Sequence, residues 1–271
     1  MTEDLTYDFK YDNEYLSHFG FVVCMFNRSS ELETYSSGAK VVFEKASMHG
    51  GKFHRSTSSK YEECITATFD ICKDTCDITQ AEMEISNDEY RGIARWLNRK
   101  DFHKFQVVGT DVWYNASFNL EKIYIDGILY GVRLTMETDS PFGYGDDVTV
   151  NITANNSAVS HSVFDRNDEV GYSYPIFNIT CGQAGNLTIS NDRDSHTTVI
   201  KNCSAGEVIN LDGENQIITT SLSSHKIQND FNFEFPTLVN SIDNQYTNYT
   251  FSLPCEVKIA YTPIVKDIPN I

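Results

Sequence analysis

Several short motifs in this sequence combine residue types that catalyse reactions or bind metals, but none of them is complete. His49-Gly50-Gly51 has the composition of an oxyanion loop, yet the Gly-x-Ser-x-Gly elbow that such a hydrolase needs for its nucleophile is absent from the sequence. Cys72-x-x-x-Cys76 has the spacing of two zinc ligands, but no second Cys or His pair follows at zinc-finger distance. We therefore predict a strand connection at the first motif and two ordinary thiols at the second.

The acidic residues form no recognisable ligand motif either. The one convincing helix opens on Ser86-Asn87-Asp88-Glu89, whose carboxylates repel a phosphate. A calcium-binding Asp-x-Asp-x-Asp-Gly loop is missing, and no carboxylate pair for glycoside hydrolysis can be singled out, because its separation is a three-dimensional quantity. We predict no catalytic, cofactor-binding or metal site, and we expect solvated faces at the acidic clusters Asp146-Asp147 and Asp165, Asp168 and Glu169.

Charge and composition argue against further classes of function. With 21 Lys and Arg against 38 Asp and Glu, the formal net charge is -17, which disfavours nucleic-acid binding because that requires a basic surface. No run of about 18 apolar residues predicts a transmembrane helix, and the acidic N-terminus lacks the basic and apolar regions of a secretory signal. The seven scattered cysteines therefore fit reduced, buried thiols in a protein made in the cytoplasm.

The elements that must position these residues are mostly β-strands, because alternation of apolar and polar residues dominates the sequence. The polar segment Ser47–Ser59 is predicted to be a loop by its composition. A chain of 271 residues with 40% hydrophobic content is long enough for one large domain or two ordinary ones. In the first part, strands are predicted at Phe19–Phe26, Lys40–Phe43, Cys64–Cys72 and Phe102–Val108.

One helix is predicted after Ile85. Ser86 and Glu89 have the spacing of a capping box, which marks a helix N-terminus. We expect the apolar face of this helix to pack on a sheet, with Trp96 in the core between them. That face consists of Tyr90, Ile93, Trp96 and Leu97.

The clearest local signal is a β-hairpin. Its arms, Ser117–Ile125 and Ile128–Thr138, both alternate, and Asp126-Gly127 between them suits the positive φ angles of a type I′ turn. The next segment, Asp139–Gly145, breaks the pattern with one Pro, two Gly and two aromatic residues. We place the domain boundary there, which gives domains 1–143 and 144–271.

The second domain is predicted to be an antiparallel β-sandwich, because short strands recur with turns about every 8 to 12 residues. It opens on a polar, Asn-rich segment, Asn151–Ser162, and it contains a second Asp-Gly turn at Asp212-Gly213. The predicted strands are Pro175–Cys181, Asn186–Asn191, His196–Asn202, Glu207–Leu211, Gln216–Ser221, Phe231–Phe235, Thr247–Leu253 and Val257–Tyr261.

The order of these elements resembles the distal tail protein family of siphophages, the bacteriophages with long, non-contractile tails. Each motif is short, so the specificity comes from their order, which covers nearly the whole chain. In the first part the motifs are Phe19–Phe26, Phe69–Lys73, Ile93–Val108 and above all Ile123–Gly145, where a hairpin leads into Asp-Ser-Pro-Phe. In the second part they are Tyr174–Ile176, Gly185–Ile189, Asn202-Cys203 with Gly206–Ile209, and Tyr261–Lys266.

The resemblance implies a mainly β fold, with an N-terminal split β-barrel plus one α-helix (1–143) and a C-terminal galectin-like antiparallel β-sandwich (144–271). It implies a virion structural protein with no enzymatic activity and no cofactor. In that family, six copies form a ring that joins the tail tube to the tail tip and the host-adsorption apparatus at the distal end of the tail. The implied partners are other copies of the chain, the tail tube protein, the tail-tip or tail-associated protein, the tape measure protein and receptor-binding proteins, without specific nucleic-acid binding or membrane insertion.

Two other functions stay open at this point. One is a carbohydrate-binding tail module that assists host adsorption, and the other is a tail-associated glycan hydrolase. A sugar site needs an exposed aromatic platform with convergent His, Arg and Asn donors, and the second half has only two arginines, Arg166 and Arg193, far apart in the sequence.

Overall fold

The computed structural model describes residues 8–26, 40–48, 53–62, 64–74, 83–155, 157, 159–194 and 196–267. The chain divides into two compact units. The first comprises Met1–Gly145 with Val265–Ile271, and the second comprises Asp146–Ile264. The described strands pair antiparallel within each unit, which confirms the mainly β fold class. No helix in the described ranges is long and apolar enough to cross a membrane.

The first unit is built on one antiparallel sheet whose strands follow the order β2-β1-β7-β8-β9-β6-β3, with β10 paired to β8. The predicted strands correspond to β3, β4, β6 and β7, with shifted ends. The elements are β1 (Phe9–Tyr11), β2 (Glu14–Tyr15), a 3-10 helix (Leu16–Phe19), β3 (Phe21–Cys24), β4 (Val41–Met48), β5 (Phe53–Tyr61), β6 (Thr66–Lys73), α1 (Asn87–Leu97), β7 (His103–Val107), β8 (Trp113–Ile125), β9 (Ile128–Thr138) and β10 (Gly143–Tyr144).

Helix α1 begins and packs as its sequence predicts. The Ser86 hydroxyl accepts a hydrogen bond from the Glu89 backbone N–H, and the Glu89 carboxylate accepts one from the Ser86 N–H at 2.8 Å, which completes the capping box. Ile93 and Leu97 are buried, while Tyr90 and Trp96 pack against the same core. Helical spacing alone therefore placed this face correctly on the sheet.

The predicted hairpin is formed by β8 and β9. Asp126 and Gly127 have φ angles of 51° and 83°, the positive values that a type I′ turn requires. The register runs from Ile125 opposite Ile128 to Ala116 opposite Thr138, with one irregularity after Ile123. The hairpin forms the centre of the sheet, so the strongest local signal in the sequence also organises the first core.

The prediction of a loop at Ser47–Ser59 is wrong over most of the segment. Ser47 and Met48 end β4, and Phe53–Tyr61 form β5, which pairs with β4 as a separate two-stranded sheet. Residues 49–52, which include His49-Gly50-Gly51, lie outside the described residues. The composition was misleading because the side chains described on both faces of this hairpin, at 41–46 and 56–61, are exposed or half-buried, so Ser, Thr and Lys are tolerated where a core-facing strand would need apolar residues.

Trp96 is the residue of α1 whose loss we expect to destabilise the first unit most. Its ring stacks on Phe9 with centroids 5.8 Å apart and on Phe19 at 4.5 Å, and its indole N–H donates to the Tyr11 carbonyl at 3.1 Å. Trp96→Ala should lower the free energy of unfolding by about 3 kcal/mol, measured by chemical denaturation. Arg95→Ala, on the exposed side of the helix, should change it by less than about 0.5 kcal/mol. Equal stability of the Trp96 variant and the wild type would contradict this packing.

The second unit is a two-sheet sandwich. One sheet has the order β11-β21-β14-β17-β18, the other has the order β12-β20-β15-β16, and β13 pairs with β19. The elements are β11 (Val148–Ala154), β12 (His161–Phe164), β13 (Gly171–Ser173), β14 (Ile176–Cys181), β15 (Gly185–Asn191), β16 (Thr197–Cys203), β17 (Val208–Asp212), β18 (Ile217–Thr220), α2 (Ile227–Asp230), β19 (Leu238–Asn240), β20 (Tyr246–Phe251), β21 (Cys255–Tyr261) and, at the boundary of the units, β22 (Ile264–Val265).

Both sheets of the second unit contribute to a single core. Phe177 and Ile259 come from the first sheet, while Leu187, Ile200 and Phe251 come from the second, and all five are buried in one cluster. Buried residues alternate with exposed or half-buried ones along these strands, as sheet-on-sheet packing requires. This confirms the predicted antiparallel sandwich.

The Asn-rich segment Asn151–Ser162 contains the end of β11 and the start of β12, which were not predicted. The predicted strand Phe231–Phe235 is wrong. Phe231 forms an isolated β-bridge with Ile200, and the rest of the segment is a loop in which Phe233 has the left-handed φ angle of 61°. The reason is that the Asn232 side chain takes the place of a strand partner, since its amide oxygen accepts from the Val199 N–H at 3.0 Å and its NH2 group donates to the Thr197 carbonyl at 2.7 Å.

Candidate functional site

The cysteines form no metal-binding centre in the described part of the chain. The six cysteines that it contains are free thiols, and no group of three His, Cys, Asp or Glu side chains is placed to hold a metal there. Cys72 lies on β6, while Cys76 lies outside the described residues. Burial raises the pKa of Cys255 to about 11, so this thiol is protonated at neutral pH and is a poor nucleophile.

The acidic clusters are only partly solvated. Asp146 and Asp147 are exposed, as expected, but Asp165 is buried, which contradicts the prediction. One of its carboxylate oxygens accepts from the backbone N–H of Asn167 at 2.9 Å and from its side chain at 2.6 Å. Burial raises the pKa of Asp165, although these hydrogen bonds partly oppose the shift. The carboxyl group thus holds the loop between β12 and β13 in place.

A buried ionisable cluster connects β17, β18 and the loop before α2. Glu207 is fully buried, and its carboxylate accepts hydrogen bonds from the Thr220 hydroxyl, the His225 ring and the Ser204 N–H. The second His225 ring nitrogen lies 3.4 Å from the Asp230 carboxylate. A buried carboxylate and imidazole are typical of a proton relay, but these partners already occupy both oxygens of Glu207. The cluster therefore stabilises the sandwich.

The pKa shifts of both members of this pair favour their charged forms. Burial raises the pKa of Glu207, but the hydrogen bonds from Thr220 and His225 outweigh it and hold the pKa below its ordinary value. Burial lowers the pKa of His225, but the Glu207 carboxylate outweighs it and the pKa is raised. Removal of one partner of a buried ion pair is strongly destabilising, because it leaves the other charge buried and uncompensated.

An exposed structure of the first unit is the hairpin of β4 and β5, here called the β4–β5 arm. None of its side chains that the structure describes is buried, and among the described strands β4 and β5 pair only with each other. Val41 and Phe43 point to one face because side chains alternate along a strand, and Val42 points to the other. The Phe43 side chain is 55% exposed.

The base of the β4–β5 arm is fixed to its own unit. The Lys40 ammonium lies 2.6 Å from the Glu62 carboxylate across the two strands. The ring of Tyr61 packs edge-on against Phe142, with centroids 4.9 Å apart, and its hydroxyl accepts from Lys266 at 3.1 Å. An isolated two-stranded hairpin is marginally stable in water. These contacts lie at the base of the arm, and the exposed side chains of Val41, Val42 and Phe43 leave surface for a further contact.

The second unit carries a cavity of about 290 Å³, here called the aromatic groove. Its aromatic lining includes Tyr172, Tyr174 and Phe233, whose side chains are all exposed. Its polar lining includes His196, Gln216 and Glu234. Aromatic rings beside a few polar groups are typical of a small-molecule site.

Neither arginine of the second half lines the aromatic groove. Arg193 instead donates to the carbonyls of Asn244 and Tyr246 at 3.1 and 3.0 Å and to the Ser241 hydroxyl at 2.8 Å. It stabilises the turn before β20 and is not free to bind an anion.

Sequence reasoning missed the groove residues. Tyr172 and Tyr174 were assigned to no element, and Phe233 was placed inside a strand. The available signal was the alternation of Tyr172-x-Tyr174 and Phe231-x-Phe233-x-Phe235, which is too regular for a connecting loop but does not show that the two segments meet.

Comparison with known protein families shows where the chain belongs. A family model described as a phage tail protein N-terminal domain matches residues 5–140, and a second, described as a phage tail C-terminal domain, matches residues 142–261. The chain belongs to this family of phage tail proteins. It is therefore a virion structural protein and not an enzyme, as its resemblance to distal tail proteins implied. No curated protein matches the sequence of this tail protein.

A solved structure shares the fold of the tail protein. It is the crystal structure of SPP1 Dit (gp 19.1), described as a paradigm of the hub adsorption apparatus in phages that infect Gram-positive bacteria. The match has a TM-score of 0.69 at 14% sequence identity and covers 94% of this chain and 98% of Dit. The two chains thus share both units of the fold although most residues differ.

Proposed function

We propose that the tail protein is the distal hub of a long, non-contractile phage tail. Six copies form a ring through residues 1–143, and the ring joins the tail tube to the tail tip and the adsorption apparatus. Family membership and the Dit-like fold support a hub. The observation that carries the ring is the β4–β5 arm, which exposes apolar side chains and has outer strand edges that no other described strand pairs with.

The arm suits a ring for a physical reason. An exposed strand edge is a template for pairing with another chain, and natural proteins cover such edges. A cyclic ring uses heterologous interfaces, in which one surface of each copy contacts a different surface of the next. An arm anchored at its base supplies one surface of that kind, and the sheet of the neighbouring copy supplies the other.

Charge is consistent with the same role. DNA leaves a siphophage through its tail, so a ring around that path must not bind phosphates. A chain with a formal net charge of -17 repels the DNA backbone. The further partners that we propose are the tail tube protein, the tape measure protein, the tail-tip or tail-associated protein and receptor-binding proteins at the periphery.

The location of the protein tests the hub function. We expect gold-labelled antibodies against the full-length chain to bind the distal end of tails on intact virions of the phage that encodes it. Antibodies against the tube protein, as a control, should label along the tail. Label distributed along the tube, or confined to the head end, would contradict the proposal.

A second candidate function is a carbohydrate-binding module that assists adsorption, with the second unit as the binding part. The aromatic groove favours it, because the exposed aromatic platform that such a site needs is present. The convergent arginines are absent from the groove, so its ligand would have to be bound by other donors.

A further inference from the structure

We propose that the aromatic groove is a binding site for a neutral saccharide. The inference deepens the second candidate function and does not depend on the ring. It rests on three features of the second unit: an exposed aromatic platform, a polar wall hydrogen-bonded to the nearly buried Asp194 carboxylate, and a described lining that contains no Lys or Arg.

The aromatic platform is built from two separate segments. Tyr172 lies on β13, Tyr174 directly follows that strand, and both side chains line the groove. Their exposed fractions are 56% and 48%, and that of Phe233, across the groove, is 66%. Gly213 lies against the Tyr174 segment, since a Cβ at position 213 would be only 3.0 Å from the Tyr174 Cβ. The missing side chain therefore lets the two segments lie close together. Three exposed rings on one small cavity are costly in water unless a ligand covers them.

The backbone of the 231–235 loop is held in an unfavourable conformation that displays Phe233. A φ angle of 61° is rare for a residue with a bulky side chain. The loop is fixed because Asn232 binds the edge of β16 and because Phe231 and Phe235 pack edge-on with centroids 5.1 Å apart. Strain of this kind is concentrated at ligand-binding positions, where it preorganises a side chain.

The polar wall of the groove is fixed by a carboxylate behind it. The Asp194 side chain is nearly buried and accepts from the His196 backbone N–H at 2.9 Å and from the Thr237 hydroxyl at 2.7 Å. Both donors belong to groove residues, so two sides of the cavity are joined by one buried group. Gln216 and Glu234 complete a set that contains both donors and acceptors.

These features select a sugar over other small ligands. A pyranose has an apolar C–H face that packs on an aromatic ring and hydroxyl groups that both donate and accept hydrogen bonds. A cavity of about 290 Å³ is at the lower end of ligand pockets, which suits one or two sugar residues. Acidic or phosphorylated sugars are disfavoured by Glu234 and by the charge after Ser140, where 6 basic and 15 acidic residues give 6 − 15 = −9.

The test uses full-length protein and saturation-transfer NMR with a defined panel of ligands. The neutral probes are cellobiose, maltose, lactose and diacetylchitobiose, and the charged probes are glucose 6-phosphate and choline. We expect at least one neutral disaccharide to bind with millimolar affinity and neither charged probe to bind. Absence of binding by every neutral probe, or preference for a charged one, would overturn the proposal.

Two matched variants assign the binding to the groove. Phe233→Gly removes the ring and relieves the positive φ angle, so the thermal stability should not fall, while sugar affinity should fall about tenfold or more. Tyr246→Ala removes an exposed ring of the same unit that does not line the groove and should leave affinity unchanged. If Phe233→Gly unfolds the unit, Tyr172→Ala makes the same test. Sugar binding that neither groove variant weakens would overturn the groove assignment while leaving an adsorption function elsewhere on the chain.

Discussion

Replacing Phe43 by Asp is expected to abolish ring assembly while leaving the monomer folded. In the monomer the Phe43 side chain is mostly in water, so a carboxylate there has little effect on folding. In the ring that we propose, the same position is covered by the neighbouring copy. An unpaired carboxylate would then be buried at every interface, at a cost of about 2 kcal/mol or more each time.

Two controls make this prediction specific to the β4–β5 arm. Phe43→Leu keeps an apolar side chain and should retain the ring. Tyr124→Asp introduces the same charge at an equally exposed aromatic residue, 56% against 55%, on the β8–β9 hairpin of the same unit, and should also retain it. Assembly would be measured by native mass spectrometry at matched concentrations. Intact rings for Phe43→Asp, or loss of rings for both Asp variants, would show that the arm is not the specific ring contact.

The second large effect is expected at Glu207. Glu207→Ala should lower the free energy of unfolding of the second unit by about 3–5 kcal/mol, because it leaves the buried His225 ring without its partner. Both tryptophans of the chain, Trp96 and Trp113, lie in the first unit. Tryptophan fluorescence therefore reports unfolding of the first unit, while hydrogen exchange of the β14 and β17 amides reports the second.

The control and the pH dependence follow from the same cluster. Glu214→Ala, at an exposed carboxylate in the β17–β18 loop, should change stability by less than about 0.5 kcal/mol.

The lowered pKa of Glu207 stabilises the wild type above the ordinary value of 4.5, and this contribution is lost as pH falls through the folded pKa. The raised pKa of His225 stabilises it below 6.5, and that contribution is lost as pH rises through the folded pKa. The wild-type second unit should thus be most stable between these values. A pH profile that Glu207→Ala leaves unchanged would contradict the ion pair.

Local signals in the sequence predicted the elements whose structure is determined locally. The Ser86–Glu89 capping box and the Asp126-Gly127 turn each require residues only a few positions apart, so they could be recognised without the tertiary fold. Most of the β4–β5 arm was not predicted, because Ser47–Ser59 has the composition of a loop. Its strands are stabilised by pairing with each other, and neither face needs a run of apolar residues.

The candidate surfaces depend on contacts between distant segments, and here the sequence was less informative. The aromatic groove joins residues 172–174, 196, 213–216 and 233–237, which no local period relates. Phe231, Phe233 and Phe235 alternate like a strand, yet the Asn232 side chain and the φ angle of Phe233 turn them into a loop. The burial of Asp165 likewise depends on a neighbour, Asn167, whose amide replaces water around the carboxylate.

The ring itself is tested most directly by electron microscopy combined with mass determination of the purified full-length chain. The measurement should be made at high protein concentration, alone and with virion extract as a source of tail partners. We expect a six-fold ring with a central hole and the mass of six chains, in at least one of the two conditions. A monomer or dimer in both conditions would contradict the hub and leave the adsorption module as the better account of this tail protein.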